Sequence, residues 1–112
     1  MNFKAIVIEK FNEGPFVKEF PLTSIQENEI LIKIEASGIC GSDLHIFEGR
    51  DTRIHIPMIP GHEGIGIIHD IRGKIYDIYG RDLKKGDRII WDRGIVCENC
   101  NYCLIEKKTF LC

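Results

Sequence analysis

The sequence has no long apolar run. Its hydrophobic stretches, such as residues 5–8, are a fraction of the ~20 residues that a membrane-crossing helix needs. The same stretch is too short for the apolar core of an export signal, and Lys10 and Glu13 follow at once, so the start MNFKAIVIEK does not read as a signal peptide. Positive charge is not in excess either: 15 Lys+Arg stand against 17 Asp+Glu, a net charge of −2. Proteins that bind nucleic acid or a membrane surface want a basic surplus to meet phosphates, so neither partner is expected. Alanines are few, helix signals are scarce, and there is no repeat, low-complexity tract or linker. A chain of 112 residues with these properties reads as one domain with one core, and a cytoplasmic setting is expected.

What is present reads mostly as strand. Residues 3–9 form a short apolar run, Asn12, Glu13, Gly14 and Pro15 supply a turn, and residues 16–20 resume an extended pattern that Pro21 stops. Ile30, Ile32 and Ile34 alternate with Leu31, Lys33 and Glu35, a period of two that predicts a strand with one buried face. Residues 61–71 set Gly64 and Gly66 among isoleucines, which suits a strand that is bulged or closely approached by a neighbour. The polar turn 84–88 feeds another strand at 89–91. One helical turn is expected over 42–47, with Ser42 or Asp43 as its cap. Many short strands parted by Gly and Pro favour a small barrel or sandwich.

Five cysteines are an odd number, so a full set of intrachain disulfides would leave one over. Four of them crowd the end of the sequence. Cys97, Cys100 and Cys103 form C-x2-C-x2-C, and Cys112 follows after a gap of eight residues. Without an export signal, such a cluster points to metal before disulfides. Zinc takes four soft ligands at tetrahedral corners, and a two-residue gap lets the chain turn back so that two thiolates reach one ion. Four cysteines would saturate it, so a zinc there would be structural.

A second constellation lies earlier. Cys40-Gly41-Ser42-Asp43-Leu44-His45 follows the alternating strand, and Gly61-His62-Glu63 opens the next. A lone cysteine or a lone His-Glu pair means little. Together Cys40, His62 and Glu63 offer a thiolate, an imidazole and a carboxylate at strand ends, and three protein ligands with one open position is the composition of a catalytic zinc site. Such a zinc lowers the pKa of a bound oxygen from about 15.7 to around 7.

CGSDLH, then GHE, then KKGDRI, then C-x2-C-x2-C, in this order, resembles the zinc-dependent medium-chain alcohol dehydrogenases. The resemblance implies a mainly β, GroES-like, partly open barrel with a C-terminal zinc-binding lobe at 97–112. It implies that Cys40 and His62 are catalytic zinc ligands, with Glu63 binding the ion or standing behind it. Ser42 would contact the alcohol and start proton transfer, and His45 would pass the proton towards solvent. Cys97, Cys100, Cys103 and Cys112 would hold the structural zinc. The expected substrate is a small alcohol or polyol, oxidised through its zinc-bound alkoxide by hydride transfer to NAD(P). Asp43 is expected to fix the local backbone or a neighbouring side chain, and His55 and His69 to lie on the surface. The sequence departs from the family pattern in three places: Gly73 stands one position beyond the family's glycine, residues 74–83 are longer than usual, and the last cysteine gap is eight residues rather than seven.

No G-x-G-x-x-G opens a helix anywhere in the sequence, so the dinucleotide-binding domain that the family pairs with this one has no counterpart here. The resemblance covers roughly the first third of a family member. These residues alone would have no hydride acceptor and are expected to be inactive, with apolar edges that invite association, including with further copies. Two other readings stay open: a non-enzymatic zinc scaffold or a subunit that complements a separate cofactor-binding chain. A nucleic-acid-binding zinc ribbon is disfavoured by the charge.

Overall fold

The structure is a computed structural model, and it describes residues 1–111. Two antiparallel sheets organise it. Strand β1 (Asn2–Val7) pairs with β2 (Phe16–Pro21) in a ribbon whose register sets Phe3 opposite Phe20 and Ile6 opposite Val17. The Phe3 and Phe20 rings stack with centroids 5.5 Å apart. The expected turn joins these strands, with Asn12 and Gly14 both at positive φ. The second sheet has the order β3-β4-β5, formed by β3 (Ile30–Gly38), β4 (Glu63–Ile71) and β5 (Arg88–Ile90).

A bridge ties the ribbon to the rest, and the Asn12 N–H also donates to the Phe47 carbonyl at 2.9 Å. Ile8 and Met58 exchange backbone hydrogen bonds of 2.9 and 3.0 Å, which ends β1 before the expected residue 9. Val7, Ile8 and Ile68 are the buried aliphatic residues, and they lie at this junction and in the central strand β4. The fold is flat, 42 × 37 × 22 Å, with a radius of gyration of 16.1 Å where a compact chain of this size has about 13 Å. Much apolar surface is therefore exposed, most of all Ile78 and Ile95. No described helix is long and apolar enough to cross a membrane.

The alternation in β3 does not give the expected buried face. Register shifts between Leu31 and Ile32, and between Ile34 and Ala36, interrupt the pairing with β4, and Ile34 is 53% exposed. The unpaired residues are His69 on β4 and Glu35 on β3, so the alternation over Ile30, Ile32 and Ile34 is itself unbroken; β3 pairs with β4 and packs against no other described element, which leaves Ile34 uncovered. The close approach expected at Gly64 and Gly66 is present. A Cβ on Gly66 would stand 2.5 Å from the Lys33 carbonyl oxygen and from Ile32 Cγ2, and one on Gly64 would stand 2.5 Å from the Trp91 ring.

The turn before β5 is built as its composition suggests. Gly86 takes φ +96°, the Lys84 N–H donates to the Asp87 carboxylate at 2.8 Å, and Ile68 exchanges backbone hydrogen bonds with this turn. The long segment before it closes as a hairpin around Asp77, which accepts from the Tyr79 and Arg81 N–H groups and from the Arg81 guanidinium. Those donors, the Arg81 N–H first, hold the Asp77 carboxyl below its usual range.

Helix α1 (Gly41–Phe47) covers the expected turn, but its cap is neither Ser42 nor Asp43. Cys40, with extended backbone, holds the N-cap position. Asp43 sits three residues in and accepts the Cys40 N–H at 2.8 Å, reaching back as the acidic member of a capping box does. Helix α2 (Asn101–Leu104) and a 3-10 turn (Thr109–Leu111) form the cysteine-bearing end.

Candidate metal centres

Antiparallel pairing of β3 with β4 builds the first centre. The register sets Gly38 opposite Glu63, so Cys40, just past the end of β3, and His62, just before β4, emerge side by side. Cys40 Sγ lies 3.3 Å from His62 Nε2, and the ligand atoms of Cys40, His62 and Glu63 are all within 4.8 Å of one another. A sulfur and a nitrogen bound tetrahedrally to one zinc would stand about 3.6 Å apart. Two features hold these residues in register. Gly61 takes φ +110° to bring the chain in, and the Ser37 hydroxyl donates to the Glu63 carbonyl at 2.9 Å. A Cβ on Gly38 would collide with the Glu63 carboxylate, so the glycine makes room for that side chain.

Asp43 stands behind the pair. Its Oδ2 anchors the Cys40 N–H, while Oδ1 is buried without a hydrogen-bond partner and lies 3.7 Å from His62 Nδ1. The two faces of the imidazole thus differ: Nε2 meets the thiol, Nδ1 meets a carboxylate. A carboxylate there favours the tautomer with hydrogen on Nδ1, which frees the Nε2 lone pair for a metal, the arrangement usual around metal-bound histidines. The donor set, the spacing and the orphaned oxygen all fit a zinc ion at this place.

A cleft of about 570 Å³ opens beside the centre. Ser42, His45, His62, Arg53, Ile54 and Arg93 are among the residues that line it. Ser42 and His45 are exposed on the same helix, with no hydrogen bond between them. Asp51 also faces the cleft, where the Arg53 guanidinium, by hydrogen bonds of 2.9 and 2.7 Å, holds its carboxyl down at about 2. A second hollow of about 360 Å³ lies across His62, against Trp91 and Ile90. His55 and His69 are exposed, as expected.

The second centre is in the C-terminal segment. Cys97, Cys100 and Cys103 bring their sulfur atoms within 4.8 Å of one another. Cys103 Sγ is 3.9 Å from Cys97 Sγ and 3.6 Å from Cys100 Sγ. The edge of a tetrahedron of thiolates around zinc is about 3.8 Å. Two backbone N–H groups, of Asn99 and Cys100, point at Cys97 Sγ from 3.4 and 3.2 Å, the partners a thiolate would take. Glu98 at φ +55° makes that tight turn. These residues also fit zinc. Cys112, the fourth expected ligand, lies outside the described residues.

The pairing of Asp43 with His62 and the place of Arg93 in the cleft were not legible as site features. Asp43 carried a weak signal, since a carboxylate three residues beyond a capping position reaches back. Arg93 carried none, because it sits in the irregular stretch between β5 and the cysteines.

A mainly β domain with a Cys-His-Glu cluster at its strand ends and a C-x2-C-x2-C lobe has the architecture of the GroES-like domain of alcohol dehydrogenases. The chain belongs to the alcohol dehydrogenase GroES-like domain family, whose model matches residues 26–112. It is 36% identical over 112 residues to an alcohol dehydrogenase of Geobacillus stearothermophilus, covering 95% of this chain and 30% of that protein. It is 39% identical over 107 residues to an L-threonine 3-dehydrogenase of Bacillus velezensis, covering 93% of this chain and 29% of that one. Among solved structures, an alcohol dehydrogenase of Thermotoga maritima superposes with a TM-score of 0.91 at 43% identity, covering all of this chain and 31% of that one. The chain thus spans less than a third of the length of the relatives it matches.

Proposed function

We propose that these residues are the N-terminal, substrate-activating part of a zinc-dependent, NAD(P)-linked dehydrogenase of small alcohols or polyols, working in the cytoplasm. The observation that carries the reading is the Cys40–His62 contact of 3.3 Å, with Glu63 beside it and Ser42 and His45 on the adjoining cleft. Cys40, His62 and Glu63 would hold the catalytic zinc, and Cys97, Cys100, Cys103 and Cys112 the structural one. When bound, the first zinc supplies Lewis-acid polarisation of an alcohol oxygen, and the nicotinamide accepts the hydride.

The residues of this chain do the rest. Asp43 orients His62 from behind. The Ser42 hydroxyl, one residue from the capping position of α1, is placed to accept the alcohol proton. His45, three residues further along α1 and exposed, would receive that proton and release it to water. The dinucleotide would bind outside these residues, which hold no phosphate-binding glycine turn before a helix.

The test is turnover by the whole zinc-loaded protein that contains this sequence, with NAD+ or NADP+ and a panel of small alcohols, followed at the nicotinamide absorbance. His62→Ala should abolish turnover and lower the zinc content by one ion per chain. Undiminished turnover would refute the assignment. A scaffold without catalytic function would bind the zinc and oxidise nothing.

A further inference from the structure

The segment between β4 and β5 holds a hairpin that the metal centres do not use. Strand β4 starts beside the Cys40–His62 centre and runs nine residues away from it, about 30 Å of extended chain, before the hairpin begins. The hairpin is tightly built. Tyr76 bridges Asp82, and the Asp77 and Leu83 N–H groups donate to the Arg81 and Ile75 carbonyls at 2.9 Å each. The Asp77 carboxylate gathers the turn, accepting the Tyr79 and Arg81 N–H groups at 2.8 and 2.9 Å. Yet the tip holds its apolar side chains outward: Ile78 is 92% exposed, Tyr79 80% and Tyr76 51%. Cations sit over both rings, Arg81 at 5.9 Å from the Tyr79 centroid and Lys74 at 5.6 Å from that of Tyr76. An aromatic and aliphatic tip that its own backbone already holds in place offers contact area at little ordering cost, as the anchors of protein interfaces do.

We propose that the partner of this tip is a second copy of the chain, with the two hairpins packed about a two-fold axis, Ile78 and Tyr79 at the centre and Lys74–Asp82 pairs at the rim. The charges name the occupant. Arg81 is neutralised by Asp77. Lys74 and Asp82 make no ion pair among the described residues, so the two arms of the hairpin carry one unpaired cation and one unpaired anion, while Lys84 and Lys85 belong to the turn that follows. Nucleic acid or an anionic membrane would call for cations alone. A surface bearing one charge of each sign is complemented by itself in reverse: across a two-fold axis Lys74 of each copy meets Asp82 of the other. The exposed parts of Tyr76, Ile78 and Tyr79 come to on the order of 500 Å² per copy, so a pair buries about 1,000 Å², the lower bound of a specific interface. The contact is therefore weak and reversible, and it adds to any that the rest of the protein makes. It does not depend on the dehydrogenase reading.

The experiment is sedimentation velocity of the whole protein that contains this sequence, over a concentration series. Breaking a two-fold contact halves an assembly, so Ile78→Asp should sediment at half the wild-type mass at concentrations where the wild type stays associated, and Tyr79→Ser should weaken the association roughly tenfold. Both side chains are exposed, so the variants should keep the wild-type urea midpoint at a concentration where the wild type is dissociated. Lys74→Glu and Asp82→Lys should each weaken the association several-fold, and the two reversals together should restore it. An Ile78→Asp protein with the wild-type mass at every concentration overturns the inference; that is the result if the protein's own remaining residues, or a different partner, cover the tip. Single reversals that weaken the contact with no recovery in the double reversal also overturn it, because the reciprocal charge pair is what names a second copy as the occupant.

Discussion

Gly66→Ala separates two physical arguments that give opposite signs. A glycine in a strand loses more conformational freedom on folding than alanine, so Gly→Ala at a compatible position stabilises by about 0.4–1 kcal/mol. Gly66 is buried in the central strand β4, opposite Ile34 on one side and Ile89 on the other. A Cβ there would meet the Lys33 carbonyl oxygen and Ile32 Cγ2, each at 2.5 Å, with the Lys33 carbonyl carbon at 3.1 Å. The oxygen belongs to the backbone of the paired strand and cannot swing away without opening the sheet beside a bulge. Overpacking typically costs about 1–3 kcal/mol, and contacts this short with backbone belong to the upper half of that range. After the entropy gain is set against it, the net loss is about 1–2 kcal/mol. The assay is urea denaturation of the wild type and the variant, with Gly41→Ala as a control, since nothing lies within 4 Å of a Cβ there and the residue is helical. The control should be neutral or slightly stabilised. A Gly66→Ala protein as stable as the wild type would refute the close approach of β3 to β4 described above.

Three further outcomes are expected. Asp43→Ala should weaken zinc at the Cys40–His62 centre roughly ten- to a hundredfold in competition with a chelator, because His62 loses the carboxylate behind it; unchanged affinity would leave Asp43 with a capping role alone. Cys100→Ser, or removal of metal by a chelator, should release the second zinc and make the segment from residue 97 onward susceptible to protease, whereas a protease pattern identical to that of the metal-loaded wild type would show that metal does not order it. The Asp51 carboxyl should titrate near 2 by NMR rather than at its ordinary 3.8. Because its folded-state value is lowered, the stabilising contribution of the Asp51–Arg53 pair is whole above about 4 and is lost as pH falls towards 2; Arg53→Gln should return the midpoint towards 3.8, and a midpoint already near 3.8 in the wild type would mean that the pair does not form in solution.

The candidate metal-ligating cysteines at 97–103 were legible in the sequence because their information is local. A two-residue gap between cysteines brings sulfurs onto one ion by chain geometry alone, and the three described members of the cluster stand where that predicts. The strands at residues 16–20 and 89–91, the glycine turns and the approach at Gly64 and Gly66 were readable for the same reason: each rests on neighbours in the sequence. What depends on pairing across the chain was not readable. The alternation at Ile30, Ile32 and Ile34 could not announce that no described element covers Ile34, since burial is a relation between elements. Cys40 and His62 are 22 residues apart, and only the register that sets Gly38 against Glu63 closes them to 3.3 Å. The second oxygen of Asp43 gains meaning from the His62 ring it faces, and that is set by the tertiary fold. The sequence by itself determined the candidate ligand types, their local spacing and a mainly β chain; the sheet register, which brings strand ends together, decided which of those residues share a site.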